Sequence, residues 1–218
     1  MYKVCVFDLD GTLTDTLDSL VYSVNETLKE MSLSVISREE CRAFVGNGAR
    51  VLVEKAIGAA GGDVDTRIEE GMRLYGRIFN ENCTYHVVPY DGIVELLQKL
   101  KEQGVSVAVL SNKPHQQTIH VVEEIFGKNI FTRIQGQQEG IPRKPNPEAA
   151  LGIIEKLGAA PEESVYIGDS EVDVATGNAA GMKTIGVTWG FRSKEQLIEA
   201  GAKDTVDDAL QILKLLVD

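Results

Sequence analysis

A chain of 218 residues, 43% hydrophobic and 25% charged, is long enough to bury one sizeable α/β core, or a core plus a smaller module, without disulfides. A formal net charge of −11 with no run of Lys and Arg argues against nucleic acid or an anionic membrane as partner. Cys5, Cys41 and Cys83 are far apart and lack metal-type spacing, so reduced packing thiols are expected. The N-terminus has no signal-peptide pattern and no apolar run approaches the roughly 20 residues of a bilayer span, so a cytoplasmic protein is expected.

The chain opens into Val4-Cys5-Val6-Phe7, a short β-branched apolar run that reads as a buried strand. Residues 16–86 then contain no convincing strand. Leu17, Leu20, Val21, Val24, Leu28 and Met31 form one helical stripe. Ser37 with Glu40 reads as a capping box for a second helix. Val51, Leu52, Lys55 and Ala56 suggest a third helix, and Met72, Tyr75 and Phe79 a fourth, separated by Gly61-Gly62-Asp63. Pro89-Tyr90-Asp91-Gly92 is the expected return turn. Further strands are expected at Val105–Leu110, Ile130–Ile134, Val165–Ile167 and Thr184–Val187. Helical faces lie between them, including Ile93, Leu96, Leu97 and Leu100, and a last helix is expected to carry Val206, Leu210, Leu213 and Val217. The alternation predicts an α/β fold, a Rossmann-like parallel sheet with helices on both faces. Residues 1–15 and 87–218 form this core and residues 16–86 an inserted α-helical module.

The strand ends carry the chemistry. Asp8 and Asp10 are two apart, so both can address one site, and a divalent cation would relieve their mutual repulsion. All-oxygen ligands favour magnesium over zinc. The same segment also reads as a plain acidic turn, with Asp10-Gly11 as the turn pair. Ser111, in Ser111-Asn112-Lys113-Pro114, can hold a phosphate oxygen together with helix-start amides, or be an ordinary cap. Lys144 lies on a turn stiffened by Pro145 and Pro147, fit for a fixed charge against phosphate, though most lysines are solvated. Gly168-Asp169 ends another strand, where Asp169 can complete a metal shell and Asp173 can orient a water or a neighbour. Alternatively, both simply favour the positive end of a helix.

In their order and placement these four segments resemble the haloacid dehalogenase-like hydrolase superfamily, and the resemblance spans nearly the whole chain. It makes the helical insert a small cap domain. It implies that Asp8 is a nucleophile forming an aspartyl-phosphate, and that Asp10 is the acid and base. Lys144 and Ser111 neutralise and orient the phosphoryl group, with Asp173 in support. Magnesium would be held by Asp8, the Asp10 main-chain carbonyl and Asp169. Gly11, Thr12 and Asn112 are expected to bind substrate.

The cap segment Phe44-Val45-Gly46-Asn47-Gly48-Ala49-Arg50 reads either as a Gly-rich interhelical loop or as a substrate loop. In the second case Asn47 and Gly48 face substrate and Arg50 takes a carboxylate. This loop, and Trp189-Gly190-Phe191, are similar to bacterial phosphoglycolate phosphatases, which implies a small phosphorylated metabolite as partner. A pyrophosphatase or a sugar-phosphate phosphatase or phosphomutase of the same superfamily remains an alternative, as does a phospho-accepting receiver domain. Against the receiver stand the long insert and the Asp8/Asp10 spacing. The expected assembly is a monomer or homodimer.

Overall fold

The computed structural model describes residues 2–217. Strand β1 (Val4–Phe7) lies at the centre of a six-stranded, wholly parallel sheet. Its neighbours are β4 (Ser106–Pro114) and β6 (Ser164–Gly168). β5 (Arg133–Gln137) lies outside β4, and β7 (Lys183–Val187) and β8 (Asp204–Val206) lie outside β6.

Both faces of the sheet are covered, as the continuous burial of β1 requires. The two-residue period sorts the side chains. Cys5, Phe7, Val107, Val109, Val165 and Ile167 join one hydrophobic cluster, which includes Leu96, Leu97 and Leu100 of α5 (Ile93–Glu102). Val4, Val6, Ala108, Leu110 and Tyr166 join the other, against Ala150, Ile153 and Ile154 of α7 (Glu148–Lys156). In register, Phe7 stands level with Val109 and with Ile167. The next residues along each strand therefore emerge together at the carboxyl edge, where open α/β sheets bind ligands.

The insertion leaves through β2 (Thr14–Asp15) and returns through β3 (Val88–Pro89), which pair antiparallel, so its two connections form one ribbon. Between them run α1 (Leu17–Glu30), α2 (Arg38–Phe44), α3 (Ala49–Ala59) and α4 (Val64–Asn82). Helix α2 carries the expected capping box. Ser37 Oγ accepts from the Glu40 amide at 3.2 Å, and Glu40 Oε2 accepts from the Ser37 amide at 2.8 Å. Helix α4 is capped by Asp63, directly after Gly61-Gly62.

Three expectations are corrected. The strand expected at Ile130–Ile134 runs instead over Arg133–Gln137. The apolar run includes Phe131, which turns into the core and packs edge-on against Phe126 at 5.6 Å. Val206 belongs to β8, paired with Val187, and the last helix, α10 (Gln211–Leu215), which follows α9 (Lys194–Glu199), keeps Leu213 of the expected stripe while Leu210 is its N-cap and Val217 lies beyond its C-cap, Leu216. An edge strand of three residues is too short to show a period, and its Val fell by chance on a helical spacing. Finally, Ser111 does not begin a helix. The chain stays extended through Pro114, with a register shift between Leu110 and Pro114, and α6 (His115–Phe126) begins afterwards. The helix-start amides expected at Ser111 are therefore not there.

Candidate active site

Asp8 follows β1 directly, and its amide donates to the Ile167 carbonyl at 2.9 Å, which extends the sheet ladder by one residue. Lys144 Nζ lies 2.8 Å from Asp8 Oδ1 and 2.7 Å from Asp173 Oδ1, with the lysine side chain 3% exposed. The Lys144–Asp8 contact is a close ion pair off the hydrogen-bonding direction, and Asp8 Oδ1 is buried without a hydrogen-bond partner. Asp173 has both oxygens engaged. Oδ2 accepts from the Ser170 amide at 3.1 Å and from its hydroxyl at 2.5 Å, in the capping box of α8 (Glu171–Ala179). Asp173 is therefore a positioning group for Lys144, at the start of a helix whose dipole favours it.

Asp169 is 1% exposed. Its Oδ1 accepts from Thr12 Oγ1 at 3.0 Å, and its Oδ2 from the Phe191 amide at 2.8 Å. Two glycines clasp it. Gly11, at φ +90°, has the left-handed backbone that glycine adopts freely, and a Cβ there would overlap the Asp169 carboxylate. A Cβ on Gly190 would overlap both Asp169 and the Gly11 carbonyl. The Trp189 indole closes the same corner with a 3.0 Å hydrogen bond to the Thr12 carbonyl.

These groups raise one another's affinity for protons. Burial, then the charge of Asp173, pushes the Asp8 carboxyl up to about 7 against the opposing pull of Lys144. Burial, Asp173 and Asp8 push Asp169 well above the usual carboxylate range. Burial works against the Lys144 ammonium, but Asp173 and Asp8 outweigh it and hold its pKa well above the ordinary value. Among the described residues, Asp8, Asp10, Asp169 and Asp173 face two ammonium groups, those of Lys144 and Lys113. With all four carboxyls ionised the excess would be two negative charges in a buried site, which is why protons are held so tightly there. Oxygens of Asp8, Asp169 and Asp173 lie within 4.8 Å of one another. Proximity nominates all three as cation ligands, but Asp173 already carries the Lys144 ammonium on Oδ1 and two Ser170 donors on Oδ2. Each Asp169 oxygen accepts a single neutral donor, so Asp8 and Asp169 are the pair with more capacity left. A hard divalent cation fits this all-oxygen donor set and would balance the charge.

Above Asp8, a cavity of ≈ 50 Å³ lies between the sheet edge and the insertion. From the core, Asp8, Asp10, Ser111, Asn112, Lys113 and Lys144 line it. From the insertion, Leu20, Gly46, Gly48, Leu52, Tyr75 and Phe79 do. Asn112 ties the two parts together. Its Oδ1 accepts from the Lys144 amide at 2.9 Å, and its Nδ2 donates to the Lys144 and Gly46 carbonyls at 3.1 and 3.0 Å.

The structure separates the other sequence-predicted residues. Thr12 lies beneath the site and is used on Asp169. Asn47 presents its carbonyl to Arg143 Nη1 at 2.8 Å and does not line the cavity. Arg50, expected to take a substrate carboxylate, is instead paired with Glu54 at 3.1 Å and Glu69 at 2.7 Å on the exposed flank of the insertion. Position 50 is the second residue of α3, and the helix turns it away from the cavity that Gly48, Ala49 and Leu52 face. Lys113 was missed. Alternation along an extended chain aims residues 111 and 113 the same way, but that signal was lost in the expectation of a helix start.

Comparison with known proteins agrees with this arrangement. A family model described as haloacid dehalogenase-like hydrolase matches residues 5–187. The phosphoglycolate phosphatase of Pseudomonas putida is 33% identical over 97% of this chain and 78% of its own length. That of Haemophilus influenzae is 31% identical over 99% of this chain and 98% of its own. The crystal structure of a predicted phosphoglycolate phosphatase from Haemophilus somnus superposes with a TM-score of 0.91 at 29% identity, covering 98% of this chain and 97% of the other. The chain belongs to the haloacid dehalogenase-like hydrolase family.

Proposed function

We propose that this hydrolase removes the phosphate of 2-phosphoglycolate, by transfer to Asp8 in the presence of magnesium. One observation carries the phosphatase reading: a buried carboxylate, with its Oδ1 ion-paired to a fixed ammonium but without a hydrogen-bond partner, lies at the floor of a small cavity that Ser111 also lines. The name shared by the Pseudomonas and Haemophilus relatives supports the particular ester. The ≈ 50 Å³ of the cavity supports a small one, since that space holds only a few waters.

Asp8 attacks phosphorus and the bond from phosphorus to the ester oxygen breaks. Asp10 gives its proton to that oxygen as glycolate leaves, then takes one from the water that attacks the aspartyl-phosphate, which returns Asp8 as a free carboxylate. Lys144 and Ser111 bind and orient the phosphoryl oxygens, while Asp173 keeps Lys144 in place. Asp8, Asp169 and the Asp10 main-chain carbonyl would hold the magnesium ion, which neutralises charge between an anionic nucleophile and an anionic substrate. The insertion acts as a cap that excludes water. Three buried reduced thiols accord with a cytoplasmic location.

A panel of phosphate monoesters assayed with MgCl2 tests the substrate, and 2-phosphoglycolate is expected to give the highest kcat/KM. Asp8→Asn keeps the shape of the side chain but removes the nucleophile, so turnover should fall below detection. Near-wild-type turnover by that variant would sink the mechanism.

A further inference from the structure

Lys113 and Lys144 are the two cations among the residues that line the cavity. Lys144 is held between Asp8 and Asp173 at the floor. Lys113 is placed differently. Its side chain is 2% exposed, and its ammonium donates to Asp10 Oδ1 at 2.9 Å and stands 4.6 Å from the ring centroid of Phe79, on cap helix α4. An ammonium has three donors. Among the described residues, Asp10 is the one hydrogen-bond acceptor of this group. A desolvated cation with donors to spare, lining a small cavity, favours a further anion there.

Other cations near the cap loop are committed. Arg50 pairs with Glu54 and Glu69, Arg143 donates to the Asn47 carbonyl, and Arg192 holds Glu171 and the Val45 carbonyl. We propose that Lys113 is the specificity-determining residue, its ammonium binding a carboxylate on the substrate's leaving group while staying bonded to Asp10. The inference rests on the phosphatase reading of the same cavity and names the group that selects the tail. It also bears on tail length. Asp10 must reach the ester oxygen, and Lys113 ties the carboxylate to Asp10 through a single nitrogen. An α-(phosphooxy)carboxylate, with one carbon between ester oxygen and carboxylate, suits that span.

The test compares wild type with Lys113→Met, which keeps most of the stem over Phe79 and removes the charge. The substrates are 2-phosphoglycolate and 2-hydroxyethyl phosphate, an ester of similar length with an uncharged tail, both with MgCl2. The variant should lose about 100-fold in kcat/KM on the carboxylate ester, chiefly through KM, and at least tenfold less on the neutral one. Equal losses on both would overturn the proposal, because Lys113 would then serve Asp10 or the fold alone. Thermal denaturation establishes that the variant folds, and Lys113→Gln is the second choice. If neither folds, inhibition of the wild type by 3-phosphonopropionate and by propylphosphonate decides. The carboxylated analogue should bind at least about tenfold tighter, and equal inhibition overturns the assignment. A wild type that prefers another carboxylate-tailed ester, such as 2-phospholactate, removes phosphoglycolate as the substrate while supporting Lys113. A phosphoglycolate preference with charge-blind Lys113 variants does the reverse.

Discussion

Asp8 illustrates how a buried carboxyl group is kept at a cost to the fold. Burial beside Asp173 pushes its pKa from the ordinary 3.8 up to about 7. The folded state therefore binds a proton more tightly than the unfolded state does. Between pH 3.8 and about 7 the folded form keeps a proton that the unfolded form has lost, so this group's contribution to stability falls as pH rises through that window. Above it, both states are ionised and the full penalty remains. A divalent cation that binds only the folded state offsets the penalty and competes with the proton for the same carboxylate. Magnesium should therefore raise the melting temperature more at about pH 8 than at about pH 6. Melting curves with and without saturating MgCl2 measure this directly, and an increment independent of pH would contradict the assignment of Asp8 as ligand. Asp8 and Asp169 were legible in the sequence because each directly follows a strand, and strand ends of a parallel sheet converge; Lys144 lies on a turn beyond the end of β5 and was legible from the prolines that flank it. Lys113 and Arg50 were not legible, because their roles depend on whether the local chain is extended or helical. A single Ser-Asn-Lys-Pro or Gly-Ala-Arg segment does not settle that.

The loop after α2 in the insertion is positioned by elements, and α2 shows how. Its last carbonyls lack intrahelical donors, as at any helix end. Arg192, from the core loop after β7, supplies them: Nη2 donates to Val45 O at 2.9 Å and Nη1 to Arg42 O at 3.4 Å. Glu171 holds the other side of the guanidinium, with Nε to Oε2 at 2.8 Å. Burial alone would raise the Glu171 pKa, but Arg192 outweighs it and holds the pKa low. The two ends of α2 therefore differ in function. Ser37→Ala at the N-terminus removes an exposed capping box, which should cost about 1 kcal/mol in urea unfolding and leave kcat/KM unchanged. Arg192→Met removes charged hydrogen bonds between cap and core. It should cost about 2 kcal/mol, speed amide exchange over residues 42–48 and raise KM several-fold. Equal effects of the two variants on KM would show that the Arg192 contacts do not set cap position. Helices α1, α3 and α4 were legible because each is long enough for an apolar stripe, and the short α2 because it carries a capping box. The paired ribbon of β2 and β3 was not, being two residues on each side and joined by a contact across the whole insertion. The short edge strand β8 was hidden in the same way.

At the scale of the molecule, charge and shape oppose one another. A chain with a formal net charge of −11 repels an anionic phosphate ester at long range, while Lys113 and Lys144, which would hold it, are buried between the sheet edge and the insertion. Their attraction acts only once the substrate has entered. Screening length at physiological salt is about 8 Å, so added salt suppresses the distant repulsion from surface carboxylates before it weakens contacts with the buried ammonium groups. The salt response should then be opposite to that of an enzyme with a basic funnel, whose association rate falls as ionic strength rises. With magnesium held saturating, kcat/KM should rise about two- to threefold as KCl is raised from about 10 to about 150 mM, while kcat stays level. Steady-state kinetics at fixed free magnesium provide the measurement. A fall in kcat/KM over that range would mean that the ammonium groups reach the substrate through the open cap, before closure. Lys113 would then act in capture as well as in selection.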